Sequence, residues 1–131
     1  SDSKVAPMTS SATQTHFVGP EHTALAVGSG DLEVLGTPVL VAWLEGTTCA
    51  ALDLDDQSTS VGTRIDIEHL AAGPVGATIT TQAQVRSQDG RMVEFEVVAH
   101  DERGIKVAFG TVRRVIVDRE RFLSRLHDVK N

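Results

Sequence analysis

Residues 36 to 52, GTPVLVAWLEGTTCAAL, carry one charged side chain, Glu45, in an otherwise apolar or uncharged run. The run is long for a strand and rich in Ala and Leu, so it predicts a helix from Pro38 to about Leu52. Thr37 stands where an N-cap belongs, and Pro38 at the first helical position gives up an N–H the helix does not use. Val39, Leu40, Val41, Trp43 and Leu44 cannot share one face, so the helix is expected to be covered on most sides. Its small residues, Ala42, Gly46, Cys49 and Ala50, would let a sheet or a second helix come close.

After Ser60 the period changes from a helix's to a strand's. SVGTRIDIEHL sets Val61, Thr63, Ile65, Ile67 and His69 on one face. GATITTQAQVRSQ and RMVEFEVVAHD follow with the same alternation, joined through Asp89-Gly90, a tight-hairpin signal. GIKVAFGTVRRVIVD is a further strand with a bend expected at Gly110, and RERFLSRL closes as a short amphipathic helix. Before the central helix, ATQTHFV (12–18) reads as a strand and EHTALAV as a second short one, with GSGDLEVLG as a loop. Residues 1–11 read as a flexible leader and 12–131 as a single domain, long enough to bury one core.

The fold class is therefore α+β, with one long antiparallel sheet wrapped around one central helix. That is the hotdog architecture. A single sheet layer leaves one side of so apolar a helix uncovered, which predicts a homodimer. A net charge of −6 with no basic cluster beyond Arg113-Arg114 argues against nucleic acid or an anionic membrane surface as partner. No apolar run reaches membrane-spanning length, and SDSKVAPMTSS lacks the apolar stretch of a secretory signal. The single Cys49 makes no internal disulfide, so a reducing, cytoplasmic setting is expected.

Within this frame Glu45 is costly, because no cation lies three or four residues away on its helix. Two polar residues can converge on it. Thr37 marks the helix start eight residues earlier, about 12 Å along the axis, and His69 closes the next strand. An imidazole beside a carboxylate can be oriented and can carry protons. A nearby threonine hydroxyl can hydrogen-bond or, with a base, attack.

LGTPVLVAWLEGTTCAAL, VGTRIDIEHLAAGPVG and VRSQDGRMVEFEVVAHD together resemble the hotdog-fold thioesterases typified by fluoroacetyl-coenzyme A thioesterase, over roughly residues 12 to 126. The resemblance implies hydrolysis of an acyl-coenzyme A thioester with Thr37, Glu45 and His69 as the catalytic trio. It implies Gly76 at the acyl-binding end and Arg114 as a coenzyme A contact. It calls for no metal and no cofactor beyond the coenzyme A of the substrate. One departure stands out: SGDLEVLG, ahead of Thr37, holds no aromatic residue, whereas the fluoroacetate-selective member places aromatics there over the acyl group. Selectivity for a fluorinated acyl group is accordingly not expected.

Two rival functions fit the same architecture: a hotdog enoyl-CoA hydratase or dehydratase, and a non-catalytic module that binds acyl-CoA. The first uses an aspartate and histidine rather than a helix glutamate; the second has no need of a buried carboxylate. Taken singly, each site residue has a plain structural role available, Thr37 as a cap, His69 as a strand-end hydrogen-bonding residue, Glu45 as a seam residue reaching water. Arg113 and Arg114 alternate faces, so one of them points outward. Cys49 reads as packing, Trp43 as core or dimer seam, and His16, His22, His100 and His127 show no metal-ligand spacing.

Overall fold

The computed structural model describes residues 10–130, with side chains described as far as His127. β1 (Ser11–Phe17) leads through a 3-10 turn, Pro20–His22, and a one-turn helix α1 (Ala24–Val27) to the main helix α2 (Thr37–Ala50). Then come β2 (Ser58–His69), β3 (Thr78–Asp89), β4 (Met92–Asp101), β5 (Lys106–Asp118) and a closing helix α3 (Arg119–Lys130). The five strands form one antiparallel sheet in the order β1-β3-β4-β5-β2, with β2 at an edge. Most of the leader expected over residues 1–11 falls outside the described residues; Ser11 already belongs to β1.

Alternation decides which side of each strand meets the helix. On β3 and β4 the pairs Val85↔Phe95, Ala83↔Val97 and Thr81↔Ala99 are all buried, while their sequence neighbours face outward. Leu40 and Leu44 of α2 pack onto this row, and both are completely buried together with Ile79, Phe95 and Val112. Each such aliphatic side chain contributes roughly 2 kcal/mol on leaving water. Thr47 and Thr81, also fully buried, satisfy each other across 2.7 Å; Gln14 accepts from Thr47, and His16 reaches Thr81 at 2.9 Å. Buried hydroxyls are tolerated here because each has a partner.

Three expectations are corrected. EHTALAV is not a strand. Thr23 caps α1 by accepting from the Ala26 N–H, and Gly28 ends it in the left-handed region at φ 80, so the segment closes into a turn of helix. The cap of α2 is Gly36, with Thr37 and Pro38 as the first two helical residues, so the Thr37 hydroxyl is not spent on capping. The helix is also less covered than its composition suggests: Pro38, Ala42, Cys49 and Ala50 are exposed, so Cys49 is not core packing within the chain.

A fourth difference matters most for function. Between Gly62 and Arg64 the pairing of β2 with β5 shifts by one residue, a bulge that inserts Thr63. Gly62 lies opposite Arg114, and Ile65 opposite the buried Val112. Gly62 therefore joins Ile65, Ile67 and His69 on the helix-facing side, in place of the expected Val61 and Thr63. β5 runs unbroken through Gly110, which sits opposite Ile67 and Val97; a Cβ there would overlap the Asp66 carbonyl. The glycine permits close backbone approach rather than a break. Gly110→Ala is expected to destabilise the chain by roughly 2 kcal/mol or more, read as a lowered midpoint in urea unfolding. An unchanged midpoint would mean that β2 and β5 are not packed this tightly.

Candidate active site

The N-terminus of α2 is brought to the end of β2 by the segments on either side. Leu70 donates its N–H to the Val107 carbonyl at 2.7 Å, which fixes the exit of β2, and Leu35 donates to the Gly73 carbonyl at 2.7 Å. A bridge between Val34 and Pro74 adds a second tie. The turn after His69 is thus bound to the segment that delivers Thr37. Gly76 closes this turn at φ 98 and donates to the Val18 carbonyl at 2.8 Å.

The result is a hydrogen bond of 2.8 Å between Thr37 Oγ1 and His69 Nδ1. The other ring nitrogen, Nε2, is buried and has no hydrogen-bond partner among the described residues. Burial holds the His69 imidazole below its ordinary value, and the Ala71 backbone offsets this only in part. With Nδ1–H donated to Thr37, Nε2 presents a lone pair; with the hydroxyl donating to Nδ1, Nε2 carries a proton to give. One ring can therefore take and return a proton.

Glu45 lies further along α2 and finds its cation on a distant strand. Arg114 of β5 reaches Glu45 Oε2 with Nη1 at 3.4 Å. Strand parity places it there: Arg114 is opposite Val93 and points toward the helix, buried, whereas Arg113 turns outward to Glu94. The Glu45 side chain keeps 35% exposure, so one oxygen is held while the group stays open to a substrate. Directly under it is Gly62, where a Cβ would lie only 2.6 Å from Oε2. Ser60 completes the arrangement by accepting from Arg114 Nε at 2.8 Å.

The structure thus joins Thr37 with His69 and Glu45 with Arg114, and among the described residues no hydrogen bond links the two pairs. Eight helical residues keep them about 12 Å apart along the axis. A depression of about 700 Å³ lies on the outer face of the sheet, and none of these residues lines it. Ser60 and Gly62 were not anticipated. A small-residue pair on a strand carries no signal until the bulge turns it toward the helix.

A family model, the fluoroacetyl-CoA-specific thioesterases, matches residues 18–120. The chain belongs to this family. The fluoroacetyl-CoA thioesterase of Streptantibioticus cattleyicolor is 34% identical over 97 residues, covering 72% of this chain and 68% of that protein. A crystal structure of a fluoroacetyl-CoA thioesterase superposes with a TM-score of 0.85 at 28% identity, covering 93% of this chain and 96% of the other. A hot-dog-like protein from Thermanaerovibrio acidaminovorans, 24% identical, has a TM-score of 0.87 over 96% of this chain and 94% of its own, and bears on the fold alone. The hotdog architecture is the one the alternation and the single long helix predict.

Because burial disfavours the imidazolium, His69 is expected to be neutral at pH 7 and to charge only as the pH falls through a pKa below its ordinary 6.5. An NMR titration of the His69 ring checks this. A midpoint above 6.5 would contradict the buried Nε2.

Proposed function

We propose that the chain hydrolyses an acyl-coenzyme A thioester at a site made of Thr37, Glu45 and His69. Membership of a thioesterase family supports the reaction class: the chain is a thioester hydrolase. The observation that carries the assignment of roles is the Thr37–His69 hydrogen bond, which leaves the second imidazole nitrogen free to handle a proton.

The chemistry needs an oxygen to attack the carbonyl carbon and a proton for the departing thiolate. Glu45 serves by one of two routes. Its carboxylate attacks, giving a mixed anhydride that water opens, or it takes a proton from the water that attacks. In both, one water is consumed and free acid and coenzyme A thiol are released. His69 Nε2 gives its proton to sulfur as Nδ1 takes the Thr37 hydroxyl proton, and the proton lost by the consumed water restores the pair in both routes. Gly76 belongs to the turn that follows His69, on the side expected to receive the acyl group.

The two pairs come together across a homodimer seam. β2 is an edge strand with unpaired backbone groups, and Gly62, Thr63, Arg64, Ile65 and Asp66 along it are exposed. Antiparallel pairing of β2 with a second copy, about a twofold axis normal to the sheet, covers this edge and brings the second copy's α2 to the same seam. Glu45 and Arg114 of one chain then face the partner's Thr37–His69 pair. The exposed small residues of α2 lie on a face that a second copy can cover. The segment ahead of Thr37, SGDLEVLG, holds no aromatic ring, so selectivity for a fluorinated acyl group is not expected.

A thiol-release screen over acyl-CoA esters of increasing chain length, with fluoroacetyl-CoA included, tests the reading. Glu45→Gln and His69→Ala are each expected to lower kcat by at least ~100-fold; near-normal turnover by either would reject the site. Ile65→Arg is expected to convert a dimer into an inactive monomer in sedimentation and activity assays. A fully active monomer would reject the shared site. Single-turnover hydrolysis in ¹⁸O-water separates the two routes, since only the anhydride route leaves label in Glu45.

A further inference from the structure

Family resemblance offers Arg114 as a contact for coenzyme A, but its surroundings suit a different task. Its side chain keeps only 8% exposure, and each of its three guanidinium nitrogens is engaged inside the chain. Nε donates to Ser60 Oγ at 2.8 Å, Nη2 to the Ser60 carbonyl at 3.2 Å, and Nη1 to Glu45 Oε2 at 3.4 Å. A phosphate ligand would have to displace these partners and reach the helix-facing side of the sheet to do so. The planar fork does something a flexible ammonium does poorly: it spans a strand oxygen and a carboxylate in one rigid unit. The carboxylate it holds rests over Gly62, the one residue type that leaves room for it there.

We propose that Arg114 is a positioning residue for Glu45, with Ser60 aligning the guanidinium and Gly62 providing the space in which the held carboxylate sits. The proposal rests on Glu45 being catalytic. Fixing Oε2 leaves the other carboxylate oxygen as the one presented to the thioester or its attacking water. A carboxylate free to swing would spend most of its time away from the reacting carbon, and a misplacement on the order of 1 Å costs roughly 100-fold in rate.

Steady-state kinetics of Arg114→Met and Arg114→Lys test this on two substrates: an acyl-CoA, and the same acyl group on N-acetylcysteamine, which lacks every phosphate. Arg114→Met is expected to lower kcat by about 100-fold on both, with KM for the acyl-CoA within about threefold of the parent. Arg114→Lys is expected to recover part of that loss. A phosphate contact gives the opposite split: KM rises for the acyl-CoA alone and the truncated thioester is turned over normally, which would overturn the proposal. Should Arg114→Met fail to fold, Ser60→Ala serves, with kcat expected to fall about threefold to tenfold on both substrates; an unchanged kcat overturns the proposal. In a Glu45→Gln background, Arg114→Met is expected to cost nothing more; a further large loss would show that Arg114 acts independently of Glu45. If Glu45→Gln itself turns over normally, the catalytic reading fails. If it is inactive while Arg114→Met works normally on the truncated thioester, only the positioning role fails.

Discussion

The ion pair between Glu45 and Arg114 ties the middle of the central helix to the second-last strand of the sheet, and the geometry around it follows from that contact. A carboxylate on a largely apolar helix is costly without a partner or water, and no cation stands three or four residues away on the helix itself. The partner comes from β5, where the pleat aims Arg114 at the helix and Arg113 at solvent. Bringing the guanidinium within 3.4 Å sets the carboxylate over β2, the edge strand beside β5, which must leave room for it. It does so with Gly62 and a one-residue bulge. The pair thus sets strand parity, register and the place of the glycine together.

At the other end of the helix a second contact has the same character. The Thr37 hydroxyl is freed from capping because the preceding glycine takes the Ncap position, and it turns instead to His69. Burial holds the imidazole below its ordinary pKa, and one ring nitrogen has no hydrogen-bond partner among the described residues. Each contact by itself resembles ordinary structural hydrogen bonding. The proposed chemistry takes the imidazole and the held carboxylate as parts of one site, divided by the length of the helix.

That division explains why a single chain looks unfinished. Helix α2 buries Leu40, Leu44, Thr47 and Thr48 in its own sheet and leaves small residues on its other side uncovered. The edge of β2 is open and the 700 Å³ depression on the sheet lies away from Thr37, Glu45 and His69. Among the described residues no hydrogen bond joins the two pairs, and the architecture has both an edge and a helix face that a second copy can cover.

Much of this was legible in the residues alone. Helical and strand periods separate cleanly at Ser60, so the single helix and the long strands after it follow from side-chain spacing, as does the turn at Asp89-Gly90. Glu45 could be singled out because a charge in an apolar run is costly enough to need a reason, and Thr37 and His69 joined it by their places at the helix start and strand end and by the family resemblance. The short helix at Ala24–Val27 was not legible, since a four-residue element is decided by a cap and a glycine rather than by a period. Nor was the pairing of Glu45 with Arg114 rather than with a helical neighbour: those residues are 69 positions apart, and contact at that range depends on register. The sequence by itself determined the elements and the cost of one carboxylate, because both are set by local spacing and by the chemistry of single side chains. Only the tertiary structure decided which arginine meets it, which glycine makes room and how far Thr37 and His69 stand from it, because a bulge of one residue reverses faces along a strand and leaves no trace in the alternation that precedes it.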